Sequence, residues 1–89
     1  MATVVFTRNL SRHVDVNNCE AAGKTVREIL EAAFAQQPAV RTYVLDDQGG
    51  LRKHMGVFVD GEQMADRIHL SDLVKPDSRI DVIQSLSGG

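Results

Sequence analysis

Short runs of β-branched and apolar residues alternate with polar ones along much of this chain. The pattern predicts a first strand over residues 3–7 and a second over residues 13–17, where polar and apolar positions alternate. A turn over residues 8–11 would join them, because two adjacent strands with a short connection favour a hairpin. The chain is therefore expected to begin with an N-terminal hairpin.

One stretch has helical rather than strand periodicity. Its apolar residues recur at i, i+3, i+4, i+7 and i+8, which is one stripe of a helix: Val26, Ile29, Leu30, Ala33 and Phe34.

Thr25 and Glu28 form a capping box at the start of this helix. The Thr25 hydroxyl would accept from the Glu28 N–H, and the Glu28 carboxylate would reach back to the Thr25 N–H. Pro38 marks the end of the helix, so a helix over residues 26–36 is predicted to cross one face of a mixed sheet.

The second half of the chain returns to strand and turn patterns. Strands are predicted over residues 41–45 and 55–59, a short return strand over 62–64 and a last strand over 79–84. Turns separate them at residues 46–50, at Asp60-Gly61 and at 75–78, and residues 68–74 form an irregular crossing. Most of the core is predicted to consist of Val4, Phe6, Ile29, Leu30, Phe34, Val57, Val59, Ile80 and Val82.

Size and composition exclude several classes of function. The 89 residues suffice for one domain with one modest core, here assigned to residues 1–84, and the net charge of −2 does not indicate nucleic-acid binding. No apolar run is long enough for a membrane span, and no signal peptide begins the chain. The single cysteine, Cys19, excludes an internal disulfide and fits a cytoplasmic protein. The three histidines are too scattered to indicate a metal site.

The last five residues, Ser85 to Gly89, are predicted to form a flexible tail, called the tail below. Glycine has no Cβ, so Gly88 and Gly89 can enter a channel too narrow for other residues. A carboxylate at Gly89 is ionised at neutral pH and can attack the α-phosphate of ATP. The chain contains no nucleotide-binding motif, so another protein would have to supply the ATP.

The order of elements and the Gly-Gly end resemble the ubiquitin-like β-grasp fold, an α+β fold with four to five strands packed on one helix. More narrowly, the chain is similar to the MoaD/ThiS family of sulfur carriers. The similarity lies in the capped helix at residues 25–30, the hairpin at 57–62, the turn and strand at 74–83, and the terminal Gly88-Gly89.

This resemblance implies that the chain is a cosubstrate and not an enzyme. A ubiquitin-activating-type enzyme, which itself holds ATP and Mg²⁺, would adenylate the Gly89 carboxylate, and a sulfur donor would convert the adenylate to a thiocarboxylate. A sulfur-accepting biosynthetic enzyme would be the second partner, and a deconjugating metalloprotease is a further candidate. Leu86, Ser87 and Gly88 would thread the partner's active site.

The acceptor pathway stays open. Residues 51–89 look closest to the carrier of a cysteine-biosynthesis route, while molybdopterin and thiamine synthesis are the other routes that the resemblance suggests. The residues before Gly88 differ from those common in molybdopterin-synthase small subunits.

The outer sheet face near the tail is predicted to dock the activating enzyme. Phe58, Met55 and Leu86 would supply apolar contacts, and Arg52, Lys53 and Arg79 would supply a charged rim. A competing interpretation places Phe58 in the core.

Two other functions remain open at this stage. In one, Gly89 forms an isopeptide bond with a lysine of a target protein, so that the chain is a protein modifier. In the other, the chain is a plain interaction domain whose Gly-Gly end has no chemical role.

Overall fold

The computed structural model describes residues 1–12 and 14–84, and the predicted tail lies outside them. In chain order, the elements are β1 (Ala2–Phe6), α1 (Arg8–Ser11), β2 (Cys19–Ala21), α2 (Val26–Gln36), α3 (Pro38–Val44), β3 (Met55–Val59), β4 (Glu62–Gln63) and β5 (Arg79–Gln84).

The five strands of the described residues form one mixed sheet in the order β2-β1-β5-β3-β4. β1 and β5 run parallel, and each of the other neighbouring pairs runs antiparallel. With a helix across one face, this arrangement confirms the predicted β-grasp fold, although a second helix, α3, joins the one that was expected.

The core lies between the sheet and the two longer helices. α2 buries its whole predicted stripe, and Leu30 has no exposed surface. Every predicted core residue is buried except Val59, which is partly buried and packs against the core. Val40 and Val44 of α3 extend this core beyond the predicted set.

The N-terminal cap of α2 forms largely as predicted. The Glu28 N–H donates to Thr25 Oγ1 at 3.2 Å, but the Glu28 carboxylate accepts from the Lys24 N–H at 2.9 Å instead of from Thr25. The preceding chain comes close to Glu28 at this point, since a Cβ on Gly23 would lie 2.7 Å from the Cβ of Glu28.

The predicted strand at residues 41–45 is wrong, since these residues continue helix α3 and its C-cap. Pro38 occupies the first turn, where a proline ends one helix and begins the next without losing a hydrogen bond. Val40 and Val44 lie four residues apart and are both buried, which is helical and not strand spacing. Arg41 also donates two 3.0 Å hydrogen bonds to the Glu31 carboxylate of α2.

The predicted strand at residues 13–17 is also wrong, because the described residues 14–17 are irregular and β2 begins only at Cys19. The backbone of Asn17 is hydrogen-bonded to the side chain of Gln37 and not to another strand. Gln37 Oε1 accepts from the Asn17 N–H at 2.7 Å, and Gln37 Nε2 donates to the Asn17 carbonyl at 2.8 Å. The predicted turn at residues 8–11 is the one-turn helix α1, which buries Leu10 completely. The N-terminal antiparallel pair therefore exists, but with a later partner strand than predicted.

Most connections of the second half match their predictions. Asp60 and Gly61 both have positive φ, as a tight hairpin turn requires, and Glu62–Gln63 returns beside β3. The Ser78 N–H closes the turn at residues 75–78 by donating to the Lys75 carbonyl. No helix within the described ranges is long and apolar enough to cross a membrane.

Candidate functional site

The tail follows β5, the middle strand of the sheet. β5 is bonded to β1 on one side and to β3 on the other, and Gln84, its last residue, pairs with Met55. The pairing with β1 ends at Val82, so Gln84, the residue that precedes the tail, is held by its pairing with Met55 of β3.

The register of β3 and β5 is fixed at the opposite end by Asp60. Its carboxylate accepts from the Arg79 N–H at 2.9 Å and from the Ser78 hydroxyl at 2.8 Å. These hydrogen bonds, first that from Arg79 and then that from Ser78, hold the pKa of the Asp60 carboxyl below its ordinary value. The Asp60 turn thereby ties the end of β3 to the start of β5, and the paired register runs from there to Met55 and Gln84.

Alternate residues of the three central strands form an outer sheet face. Val5 of β1 and Phe58 of β3 flank Asp81 of β5 in one row across the sheet. In the next row toward the tail, Ile83 lies over Gly56, where an added Cβ would be 3.1 Å from Ile83 Cγ1. Val5, Phe58 and Ile83 are all partly exposed, so this face offers apolar surface on both sides of Asp81 and near the end of β5.

Phe58 lies on the face that the alternation predicted. Its neighbour Val57 is 1% exposed and faces the core, whereas Phe58 is only partly buried. Met55 was expected on the same surface, but it is 4% exposed and belongs to the core. It lies two residues from Val57 on β3, so the two side chains are on the same, inner face of the sheet. Leu86, the third predicted apolar contact, lies outside the described residues, as do Ser87, Gly88 and Gly89.

The predicted charged rim is divided between the two ends of the sheet. Arg52 and Lys53 are exposed and lie just before β3, next to the end of β5. Arg52 Nε donates to the Thr42 carbonyl at 2.6 Å, so this guanidinium is directed toward the end of α3. Arg79 begins β5, at the far end from the tail, and pairs with Asp81 at 2.9 Å. Arg79 is therefore not part of a rim around the tail.

The sequence reasoning missed Val5, Gly56 and Ile83 as parts of this face. A usable signal was present, because alternation along the last strand places Ile83 opposite to Ile80 and Val82. The contact of Ile83 with Gly56 had no such signal, since it depends on the pairing of two strands that are distant in the chain.

The described residues hold no group of three or more His, Cys, Asp or Glu side chains placed to bind a metal ion. A surface groove of about 330 Å³ lies at the far end from the tail, lined by residues of the β3–β4 hairpin and of the 72–78 loop. Cys19 is partly buried, and this burial raises the pKa of its thiol, which favours a packing role over a nucleophilic one.

Three solved structures share the fold along nearly their whole length. A chain of the crystal structure of the Amycolatopsis orientalis BexX/CysO complex is 23% identical, with a TM-score of 0.82 and 100% of both chains covered. Mycobacterium tuberculosis CysO is 16% identical, with a TM-score of 0.80 and 97% of this chain and 100% of that chain covered.

The solution structure of small archaeal modifier protein 1 from Methanosarcina acetivorans is 18% identical, with a TM-score of 0.80, 99% of this chain and 95% of that chain covered. At these identities, the likeness shows the fold. A search of the curated proteins found no match.

Structural likeness at these identities does not show the family of the chain, but a match to a family model does. The ThiS family model matches residues 6–89, which include nearly all of the folded body and the whole tail. The chain therefore belongs to the ThiS family.

Proposed function

We propose that this protein is a sulfur carrier whose Gly89 carboxylate is activated by a ubiquitin-activating-type enzyme. One observation carries the proposal: the middle strand of the sheet ends at Gln84, and the sequence Ser-Leu-Ser-Gly-Gly comes directly after it in a chain that belongs to the ThiS family. A rigid body with a narrow terminal segment is suited to delivering one carboxylate into another protein.

The chemistry has two steps. A carboxylate oxygen of Gly89 attacks the α-phosphate of ATP, and pyrophosphate leaves, with ATP and Mg²⁺ held by the partner. A sulfide equivalent then attacks the carbonyl carbon of the acyl-adenylate, and AMP leaves with the bonding electron pair. The product is a thiocarboxylate, in which one carboxylate oxygen has been replaced by sulfur, ready for a sulfur-accepting biosynthetic enzyme.

The body supplies position and recognition in this proposal. The outer sheet face, with Phe58 and, nearer the end of β5, Ile83, meets the activating enzyme, while Leu86 to Gly88 occupy its channel. Position matters because an error of 1 Å at the reacting atoms can lower the rate about 100-fold.

ATP–pyrophosphate exchange with the cognate activating enzyme tests the proposal. The wild-type chain is compared with a variant that lacks Gly89 and one that carries an additional residue after it. We expect exchange with the wild type alone, and an intermediate rate for Gly89→Ala, whose methyl group enters the narrow channel. All of them should unfold alike, since no described residue is changed. Equal exchange by the wild type, the deletion and the extension would refute the proposal.

A protein-modifier function is the second candidate, since one of the similar structures is described as a small archaeal modifier. The same acyl-adenylate serves both functions, but in the modifier a lysine amine attacks the carbonyl and forms an isopeptide bond.

Intact-mass measurement of the protein from its native host separates the two. Replacement of one oxygen by sulfur supports the carrier, and higher-mass lysine adducts support the modifier. Cysteine biosynthesis is the acceptor route that we favour, because two of the three structures contain or are CysO proteins.

A further inference from the structure

Two arginines lie on the β1 side of the point where β5 ends. Because β1 and β5 are parallel, β1 ends at the same edge of the sheet, and the Thr7 N–H donates to the Val82 carbonyl at 3.1 Å. Arg8 follows directly in α1, and Arg12 lies four residues later, on the same side of that turn. Both arginines are exposed.

Two further exposed cations, and the partly buried Arg67, lie on the β3 side of the same point. Met55 is paired with Gln84, and the exposed residues Arg52 and Lys53 come just before it in the chain. Arg67 approaches from the 65–70 loop and donates to the Arg52 carbonyl at 2.8 Å. We call Arg8, Arg12, Arg52 and Lys53 the basic collar.

The acidic residues closest in sequence to the basic collar are Asp15, beyond Arg12, and Asp46 and Asp47, in the turn before Arg52. Asp15 is exposed and follows α1, whereas Asp81 is paired with Arg79. Most acids of the β3–β4 hairpin and of the 72–78 loop lie at the far end of the sheet, with Lys24 and Lys75 near them. The basic collar thus places four exposed positive charges, with the partly buried Arg67 beside them, near Gln84 in a chain whose net charge is −2.

We propose that the basic collar docks on an acidic rim around the entrance of the activating enzyme's channel. The proposal rests on the proposed function and names the chemistry of the surface that this partner must present. Complementary charges at the edge of an interface raise the association rate and make it depend on salt.

The length of the tail shows that the basic collar acts in docking and not in the chemistry at Gly89. Five extended residues span at most about 18 Å, at 3.3–3.6 Å per residue. The Debye length at physiological ionic strength is only about 8 Å. When the tail is extended, the basic collar is thus too far from Gly89 to stabilise the phosphates of ATP, and it acts on the entrance alone.

The test compares two double variants with the same change of charge. Arg12→Glu with Lys53→Glu reverses one charge on each side of the tail and keeps the hydrogen bond between Arg52 and Thr42. Lys24→Glu with Lys75→Glu, the control, makes the same change at the far end of the sheet.

Stopped-flow association with the activating enzyme is measured for both variants and the wild type over a range of salt concentrations. We expect the collar variant to associate about tenfold or more slowly at low salt, to approach the wild type at high salt, and to reach an unchanged exchange rate at saturation. The control variant should associate within about twofold of the wild-type rate.

Equal slowing of the two variants, or a wild-type association rate that does not fall with salt, would overturn the proposal. The wild-type salt dependence needs no substitution. A wild-type association rate that does not fall with salt would therefore overturn the proposal even if the collar variant were unstable. Failure of the wild type in pyrophosphate exchange would instead refute the proposed function, so the two failures are distinguishable.

Discussion

The two faces of the sheet are built from the same strands but from different kinds of residue. On the inner face, Val4, Val57, Ile80 and Val82 are buried beneath the helices, each with at most 1% of its surface exposed. On the outer face, the alternate positions hold partly exposed apolar side chains, together with the Arg79–Asp81 ion pair.

This difference between the faces indicates that the inner face provides stability and that the outer face is available for recognition. Burial of apolar surface is the main source of folding free energy, and the inner face accounts for most of that burial. A sheet with one packed and one exposed face is a common outcome, and an apolar strip on the exposed face is available to a partner. Substitutions on the two sides should therefore affect different measurements.

The largest effect on stability is expected for Leu30→Ala, on the helix that covers the inner face. Leu30 is completely buried, so its truncation should leave a cavity and lower the free energy of unfolding by about 2–5 kcal/mol. Denaturant unfolding measures this change. A change within error of zero would contradict the packing, and below the unfolding transition the exchange rate should remain that of the wild type.

A smaller stability change is expected for Phe58→Ala on the outer face. Phe58 is only partly buried, so unfolding should become easier by about 1 kcal/mol, less than for Leu30→Ala. The apparent KM of the activating enzyme for this protein should rise, because apolar contacts dominate interfaces. Phe58→Leu, the matched control, keeps much of the apolar surface. If Phe58→Ala instead unfolds the domain, the residue belongs to the core and the contrast between the faces fails.

The smallest effect concerns the ion pair that joins the two helices above the inner face. The hydrogen bonds and charge of Arg41 hold the pKa of Glu31 below its ordinary value. A lowered folded-state pKa adds stability above the ordinary glutamate pKa of about 4.3, and this stability is lost as the pH falls through the folded value. Since Glu31 is 40% exposed, Arg41→Gln should cost less than about 1 kcal/mol at neutral pH.

Unfolding free energies of the wild type and Arg41→Gln, measured from pH 7 downward, test this pair. We expect the difference to shrink as Glu31 becomes protonated. A difference that stays constant with pH would show that Arg41 acts through packing, and one above the effect of Leu30→Ala would mean that the ion pair outweighs the apolar core.

Strong local signals allowed several elements to be predicted from sequence. Two features specify α2: the apolar stripe from Val26 to Phe34 and the Thr25 cap. Both can be read from sequence because they involve only residues that are close together in the chain. The Asp60-Gly61 turn and the alternation around Val57 likewise place β3 and β4, because positive φ and period-two burial are local requirements.

Competing local preferences explain the wrong predictions. Thr42, Tyr43 and Val44 favour a strand by composition, but burial of Val40 and Val44 against the core selects a helix. Residues 14–17 alternate like a strand, yet the backbone of Asn17 is bound by the side chain of Gln37. In both cases, the deciding partner lies elsewhere in the chain.

For the candidate site, the sequence by itself determined the terminal Gly88-Gly89, the last strand before it and the outward face of Phe58. Only the tertiary structure decided which charges lie near Gln84, at the end of β5. The parallel pairing of β1 with β5 brings Arg8 and Arg12 to the tail end, while the direction of β5 carries Arg79 to the other end. Strand pairing sets these positions because it joins residues that are far apart in the chain, and local patterns contain no information about that register.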